Sequence, residues 1–189
     1  MTLHLKVVTS NPGKVREYQA ALAEYGVEME HVHVPYDEVQ TSYLEEVVDK
    51  GLKALYAQGL RNFMIDDSGL FINGLKGFPG VWSAYAQKTL GNPGILKLME
   101  NIKDRAAVFK CCIGACISDQ TIIVTGVCPG LITQKEAGTD GFGYDPIFSP
   151  GMDGGPTFAM IPIAEKNQYS HRGIAIRMLI DELKARKFI

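Results

Sequence analysis

The sequence lacks an excess of charge of either sign. Its 189 residues include 19 basic and 21 acidic side chains, which gives a formal net charge of -2 at pH 7. Proteins that bind nucleic acid usually present a basic surface to the phosphate backbone, and this sequence has no basic stripe. The composition therefore argues against a nucleic-acid partner, and a phosphate that binds here has to be met by local groups.

Long hydrophobic runs and a leader pattern are also missing. No apolar run approaches the roughly 20 residues that a membrane-spanning helix needs, and the first residues lack the basic, apolar and cleavage-site order of a signal peptide. We therefore expect a cytoplasmic protein with no membrane partner. The 46% hydrophobic content and the 20 glycines are typical of an α/β protein with many turns, and we expect one domain over residues 1–189.

Cysteine is scarce in this chain. It occurs only as Cys111, Cys112, Cys116 and Cys128, and the spacing matches neither a Cys-x-x-Cys pair nor a usual zinc pattern. We expect all of them to be buried as small apolar residues of a reduced protein.

A pair of neighbouring carboxylates stands out among the residues that are present. Residues 63–65 read as a strand, and Asp66, Asp67, Ser68 and Gly69 follow, which we expect to form a sharp turn. Because neighbouring strand residues point to opposite faces, one carboxylate is expected to face a cleft and the other to support it. Two carboxylates this close favour a divalent cation such as Mg²⁺, because their charges repel each other without one. A plain surface turn is the alternative.

A second polar stretch follows the first predicted strand, at residues 3–8. The segment Thr9-Ser-Asn-Pro-Gly-Lys14 leads into apolar residues with helical spacing, and Gly26 closes the helix. A strand, a glycine-containing loop and a helix aim backbone N–H groups at an anion, and Lys14 adds a positive charge. The glycine-lysine pattern of a P-loop is absent. A β-turn that caps the helix is the alternative to a phosphate site.

Two segments in the second half of the chain carry further polar side chains. Residues 139–148 hold aromatic side chains between glycines, next to Asp145, a pattern that can stack on a base. Lys166, His171 and Arg172 lie near the predicted start of the last helix, where acidic residues are normally favoured. Positions that break a local rule are often functional, so we expect these donors to bind an anion.

The elements between these segments are more ordinary. Residues 105–117 and 121–131 are apolar runs on either side of a short polar turn, and they predict a β-hairpin. Asn92 is predicted to cap a short helix over residues 92–99. Ser170 is predicted to cap the last helix.

Two groups of side chains leave alternatives open. Phe78, Trp82 and Tyr85 lie in a glycine-rich loop and form either the wall of a pocket or a small satellite core. His31 and His33 share one face of a predicted strand, where they either bind a metal or lie partly exposed. A two-histidine metal site needs a third ligand, so exposure is the simpler interpretation.

The stretches at residues 9–14, 66–69, 141–145 and 165–172 carry most of the unusual polar chemistry. In an α/β fold such loops can converge on one cleft. There they would supply carboxylates for a metal, cations for phosphates and an aromatic face for a base, which is the equipment of a nucleoside triphosphate hydrolase. These four stretches and one further glycine-rich segment, Gly77-Phe-Pro-Gly-Val-Trp-Ser83, form five sequence motifs. The other four motifs are Thr9-Ser-Asn-Pro-Gly-Lys14, Asp66-Asp-Ser-Gly-Leu70, Gly141-Phe-Gly-Tyr-Asp-Pro-Ile-Phe148, and Glu165-Lys-Asn with Ser170-His-Arg172.

Together these motifs resemble the inosine triphosphate pyrophosphatase family, from the first strand to the last helix. The resemblance implies Mg²⁺-dependent hydrolysis of non-standard purine nucleoside triphosphates (ITP, dITP and XTP) to the monophosphate and pyrophosphate, which keeps these bases out of DNA and RNA. It also implies an elongated, two-lobed α/β fold with a long twisted mixed sheet flanked by helices, a central nucleotide cleft, and a homodimer.

The resemblance also implies roles for individual residues. Asp67 would be the catalytic carboxylate, and Glu38 and Asp67 would hold Mg²⁺. The residues that bind the nucleotide would be Thr9, Ser10, Asn11, Pro12, Gly13, Lys14, Ser68, Phe142, Gly143, Tyr144, Asp145, Lys166, His171 and Arg172.

Two other functions compete with this one. The nearest is a pyrophosphatase for other modified nucleotides, such as methylated pyrimidines. The other is a nucleotide sensor without turnover, which the paired aspartates disfavour because they repel a polyphosphate unless a metal is present.

Overall fold

A computed structural model describes residues 3–37 and 39–189 of the chain. In this part of the chain the fold is α/β, with one mixed β-sheet and helices on both of its faces. The strands are β1 His4–Val8, β2 Glu28–Val32, β3 Phe63–Ile72, β4 Pro79–Gly80, β5 Ala106–Ile117, β6 Gln120–Ile132 and β7 Phe148–Pro150. The helices are α1 Pro12–Ala23, α2 Leu44–Ala57, α3 Ser83–Thr89, α4 Gly91–Leu98, α5 Ile163–Tyr169 and α6 His171–Ala185.

The sheet has a parallel end and an antiparallel end. Its strand order is β2-β1-β3-β5-β6-β7, and β4 pairs with β3 off this path. β1 runs parallel to both of its neighbours, whereas along β3, β5, β6 and β7 each strand is antiparallel to the next. The hairpin of β5 and β6 is the one predicted from the sequence, and it is confirmed.

β3 changes partners along one of its edges, and this opens the sheet. It pairs with β1 only at Phe63 and Met64, and with β4 only at Leu70 and Phe71. Residues 65–69 therefore have no strand beside them on this edge within the described ranges. Ligands of α/β sheets bind beyond the carboxyl ends of strands where neighbouring strands part, which makes this opening the natural place for a site.

The turn predicted for residues 66–69 is wrong. Asp66 pairs with Ile113 and Asp67 with Cys112, so both aspartates lie in the middle of β3. Aspartate and glycine are poor strand formers by propensity, but an uninterrupted ladder with β5 overrides that preference. The two carboxylates are consequently held by a rigid strand rather than by a loop.

Side chains of β3 and β5 alternate between two apolar cores on opposite faces of the sheet. Met64 and Cys111 belong to the core under α1 and α6, whereas Ile65 and Cys112 belong to the core under α2. A third core packs α4, β7 and the far ends of β3 and β5. All four cysteines are buried and free, as predicted. No helix in the described ranges is long and apolar enough to cross a membrane.

Two glycines allow α6 to begin very close to its neighbours. A Cβ atom at Gly126 of β6 would overlap the backbone carbonyl of His171 and the backbone nitrogen of Ala175. A Cβ at Gly173 would overlap the carbonyl of Asn167 in α5. The first turn of α6 is thus fixed by backbone contact on two sides, which sets the position of the residues that begin it.

We predict that Gly126→Ala displaces this turn and destabilises the fold. The added methyl group meets backbone atoms, which cannot move aside as a flexible side chain can, so the free energy of unfolding should fall by about 1 to 3 kcal/mol. Urea denaturation measures it. Gly155→Ala is the control, since its Cβ would meet no atom, and it should change stability by less than about 0.5 kcal/mol. Equal stabilities of the two variants would contradict the close approach.

Candidate active site

A cleft of about 690 Å³ lies at the opening beside β3. It brings together side chains from four stretches that are far apart in the sequence. The residues predicted for nucleotide binding or catalysis that line it are Thr9, Ser10, Asn11, Lys14, Asp67, Ser68, Phe142, Gly143, Tyr144, Asp145, Lys166, His171 and Arg172.

Two of the predicted site residues that the structure describes do not line the cleft, and a third falls outside the described residues. Pro12 is the exposed first residue of α1. Gly13 is buried, and the ring of Phe142 occupies the space where its side chain would be. Glu38, the predicted second metal ligand, lies outside the residues that the structure describes.

The first predicted phosphate loop is shorter than expected, because α1 begins at Pro12. Asn11 caps this helix, and its Oδ1 accepts hydrogen bonds from the backbone N–H groups of Gly13 (2.8 Å) and Lys14 (3.3 Å). The Asn11 N–H donates to the hydroxyl of Thr9 at 3.2 Å. Side chains of the same loop therefore bind these N–H groups, which is the helix cap that the sequence left open as the alternative to a phosphate site. Lys14 carries the positive charge at this end of the cleft.

The two aspartates of β3 have different surroundings. Asp66 points toward the α1 and α6 face, where its Oδ2 lies 2.9 Å from Lys14 Nζ and accepts a hydrogen bond from the Ser68 hydroxyl at 3.0 Å. Burial raises the pKa of Asp66, but the charges of Lys14 and Arg172 outweigh burial and leave this pKa below its usual value. Asp66 is therefore an ionised partner of two cations.

Asp67 occupies the other face of the strand and lines the cleft. It is partly buried, and its Oδ1 accepts the backbone N–H of Ser68 at 2.9 Å. Both aspartates line the cleft, but strand alternation gives them different surroundings, and it is Asp66 that Lys14 and Arg172 engage.

A row of buried ion pairs connects Asp66 to the C-terminal helices. Arg172 Nη2 lies 3.7 Å from Asp66 Oδ2, and Arg172 Nη1 donates to Glu17 Oε2. Lys166 Nζ lies 2.6 Å from Glu17 Oε1 and 2.7 Å from Asp145 Oδ2. Buried charges are tolerated when they are paired in this way. We call Lys14, Asp66, Arg172, Glu17, Lys166 and Asp145, which alternate in sign, the charge chain.

The charge chain changes the interpretation of Lys166 and Arg172. Their side chains are only 3% and 1% exposed, respectively, and each already faces carboxylates. The sequence predicted that these two cations would bind an anion of a ligand. In the structure, both are instead paired with carboxylates of the protein. Arg172 also donates to the Ser68 hydroxyl at 3.1 Å, which places its guanidinium at the edge of the cleft.

Glu17 and Asp66 were not among the predicted site residues. Glu17 is 2% exposed and lies in the second turn of α1. Burial raises the pKa of Glu17, but Arg172 and Lys166 outweigh burial and hold this pKa below its usual value. For Asp145 burial prevails over Lys166, so the pKa of Asp145 is raised. Of the two carboxylates that share Lys166, Glu17 holds its charge more firmly.

His171 begins α6 and is buried in the wall of the cleft. Its ring stacks on Phe109, with centroids 4.5 Å apart and an interplanar angle of 8°. Burial first, and then the charges of Arg172, Lys166 and Lys14, lower the pKa of His171 well below its usual value. The imidazole is therefore neutral at pH 7, and its Nδ1 has no hydrogen-bond partner in the described part of the chain.

The loop at residues 141–145 forms the opposite wall. The Phe142 N–H donates to Asp145 Oδ2 at 2.7 Å, and the Tyr144 hydroxyl donates to the Ser83 carbonyl at 2.8 Å. Lys166 Nζ lies 5.3 Å from the centre of the Phe142 ring, within cation–π range. The charge chain and α3 therefore both fix this loop.

The structure shows where the aromatic residues and the two histidines lie. Phe78, Trp82 and Tyr85 are 37%, 50% and 71% exposed, and they neither line the cleft nor form a core. His31 Nε2 bonds to the Thr9 carbonyl at 2.8 Å, and His33 lines the cleft. Across residues 3–37 and 39–189, no group of three His, Cys, Asp or Glu side chains could hold a metal ion.

Comparison with known proteins agrees with this architecture. The profile of the Ham1 family matches residues 5–182. The chain belongs to the Ham1 family. Its relatives include a dITP/XTP pyrophosphatase of Pyrococcus horikoshii, 49% identical over 94% of this chain and 95% of that protein. Another is the dITP/XTP pyrophosphatase of Thermococcus kodakarensis, 47% identical over 96% of this chain and 98% of that protein.

Solved structures of Ham1 proteins share the fold. The HAM1 protein of Coxiella burnetii superposes with a TM-score of 0.79 at 31% identity, covering 97% of this chain and 100% of that one. The Ham1 protein of Staphylococcus aureus gives a TM-score of 0.76 at 29% identity, covering 97% and 99%. The predicted fold class, α/β with a mixed sheet flanked by helices, is confirmed.

In this Ham1 protein, neutral His171 should make stability depend on pH. Because the folded pKa lies well below the usual value, the unfolded chain takes up a proton on acidification that the folded protein does not, so stability falls as pH falls. Between about pH 6 and about pH 5 the parent should lose about 1 kcal/mol more than His171→Asn. Denaturant unfolding at several pH values measures this difference. Parallel stability curves for parent and variant would contradict the assignment.

Proposed function

We propose that this chain hydrolyses dITP, ITP and XTP to the nucleoside monophosphate and pyrophosphate, and so removes non-standard purines from the nucleotide pool. The observation that supports this most strongly is the near-full-length similarity to relatives named dITP/XTP pyrophosphatase. The cleft beside β3 supports it too, since it combines a lysine, a carboxylate and an aromatic loop in one space.

In this proposal the triphosphate lies at the end of the cleft that the N-terminus of α1 forms. Lys14 contacts the phosphates, and the hydroxyls of Thr9 and Ser10 donate to them. Asn11, Pro12 and Gly13 act by shaping the start of the helix, because the amide groups of that turn are bound to Asn11. Lys14 would stabilise the charge that builds on the pyrophosphate leaving group.

Mg²⁺ is the metal that fits the donor set. It prefers oxygen ligands, keeps several waters and needs only one or two protein carboxylates beside substrate phosphates. Asp67 is a carboxylate in the cleft, and Glu38 is the proposed second ligand. When bound, Mg²⁺ would neutralise charge on phosphate oxygens and make a bound water more acidic.

Asp67 is the proposed catalytic residue. A carboxylate held in the cleft by a rigid strand can accept the proton of the water that attacks the α-phosphorus. Asp66 cannot easily take this role, since Lys14 and Ser68 already engage it. The same bonds keep Lys14 beside the reacting phosphates, and Ser68 would contact the nucleotide.

The base would lie between the 141–145 loop and the start of α6. Phe142 offers a ring for stacking, and Gly143, Tyr144 and Asp145 hold it in place, with Lys166 behind them. His171 Nδ1 and Arg172 Nε are buried and without a partner in the described residues, and both are suited to reading the 6-keto edge of a purine. A 6-amino purine would leave such groups unpaired, which weakens its binding.

Three further inferences accompany this proposal. We infer that the protein works as a homodimer and in the cytoplasm, and that residues 1–189 act as one domain. Sedimentation equilibrium would measure the oligomeric state, and a monomer at micromolar concentration would contradict the homodimer.

We predict that the purified protein converts XTP, ITP and dITP, but not ATP or GTP, to monophosphate plus pyrophosphate in the presence of Mg²⁺. Chromatographic product analysis distinguishes monophosphate from diphosphate. Asp67→Asn should lower kcat at least about a hundredfold, since one positioned group is worth about 3 kcal/mol or more of transition-state stabilisation.

The matched control is Asp49→Asn, which changes a partly exposed carboxylate of α2 paired with Lys53. It should keep the parent's kcat. Activity of Asp67→Asn within about tenfold of the parent would remove Asp67 from the catalytic role. A parent that binds XTP but releases no product would favour a nucleotide sensor, and turnover of methylated pyrimidine nucleotides alone would favour the other pyrophosphatase.

A further inference from the structure

One carbonyl group of the 141–145 loop accepts two side-chain amides. The Gly143 carbonyl oxygen lies 3.1 Å from Gln87 Nε2 and 3.1 Å from Asn92 Nδ2. Gln87 belongs to α3 and Asn92 to α4, so two helices hold the same peptide unit. The sequence predicted that Asn92 would cap a helix, but α4 begins at Gly91, which leaves the Asn92 side chain available to the loop.

Each amide donates its N–H to this carbonyl, while its own oxygen accepts no hydrogen bond. Gln87 Oε1 and Asn92 Oδ1 are buried, and neither has a hydrogen-bond partner in the described part of the chain. Unsatisfied buried acceptors destabilise a fold. Two unsatisfied acceptors at one contact indicate that this contact serves a function other than stabilising the fold.

The clamped peptide unit lies between two side chains of the cleft. Gly143 has a φ of +60°, in the left-handed region, and no atom would lie within 4 Å of a Cβ there. The contacts that hold this peptide unit are the two amide hydrogen bonds to its carbonyl. On one side is Phe142, whose ring rests against Gly13, and on the other is Tyr144, which is bonded to Ser83.

We propose that Gln87 and Asn92 form an amide clamp, and that this clamp is a positioning device for base selection. The proposal rests on the proposed function, since it concerns how that site tells purines apart. Discrimination by unpaired polar groups requires that the base be held in one position. A rotated Gly143 peptide would shift Phe142 and let the base move to a position where a 6-amino group is tolerated.

The test compares three variants with the parent. Gln87→Met and Asn92→Leu each remove one amide at similar side-chain size, and the double variant removes both. Each single variant keeps one donor on the Gly143 carbonyl, so its preference for XTP over ATP, as a ratio of kcat/KM values, should fall less than about threefold. The double variant should lose at least about thirtyfold, more than the product of the singles, mainly through a higher KM for XTP.

Thr89→Ala is the matched control on α3. The Thr89 hydroxyl bonds to the Tyr85 carbonyl of the same helix, and the variant should keep the parent's preference. If the double variant does not fold, Gln87→Ala with Asn92→Ala takes its place, since it also removes both donors. A loss of preference of at least about thirtyfold there supports the clamp, and a preference within about threefold of the parent's overturns it.

The possible outcomes separate the two proposals. A parent that prefers XTP, together with clamp variants that keep the parent's preference and KM, overturns the clamp and leaves the proposed function standing. Variants with lower kcat and unchanged preference also overturn it, since that result indicates a general structural role. A parent that hydrolyses neither XTP nor dITP overturns the proposed function, and the selection role with it.

Discussion

The ion pairs of Glu17 with Lys166 and Arg172 join the first helix of the protein to its last two. These side chains are nearly inaccessible to solvent, and a buried ion pair seldom stabilises a fold more than apolar packing would. Its effect is on geometry, because a shift of α1, α5 or α6 would leave a buried charge without its partner. Through Asp66 and Asp145, that arrangement also fixes β3 and the 141–145 loop, so both walls of the cleft depend on it.

The backbone makes this arrangement possible. β3 leaves β1 after Met64 and meets β4 only at Leu70, and the gap is where the cleft forms. Glycines at 126 and 173 let α6 start in contact with β6 and α5, which brings Arg172 within reach of Asp66 and Glu17. The side-chain network and the close backbone contacts therefore support each other.

Local patterns predicted what local interactions determine. The β5–β6 hairpin, the buried cysteines and the Ser170 cap follow from apolar runs and single side chains near them in sequence, and these agree with the structure. The turn at residues 66–69 failed because pairing with distant β5 overrides propensity. Glu17 was missed because a glutamate on a helix usually faces solvent. Its position in line with buried Gly13 and Ala21 was the available signal, but its partners lie about 150 residues away.

The free energy of unfolding of Glu17→Gln at pH 7 tests most directly whether the charge chain holds the molecule together. The substitution preserves size and leaves Lys166 and Arg172 with one fewer buried carboxylate, so we expect a loss of about 3 kcal/mol or more. Glu24→Gln, an exposed change at the end of the same helix, should stay within about 0.5 kcal/mol of the parent. If Glu17→Gln is also within about 1 kcal/mol of the parent, the charge chain is not the constraint on which the site depends.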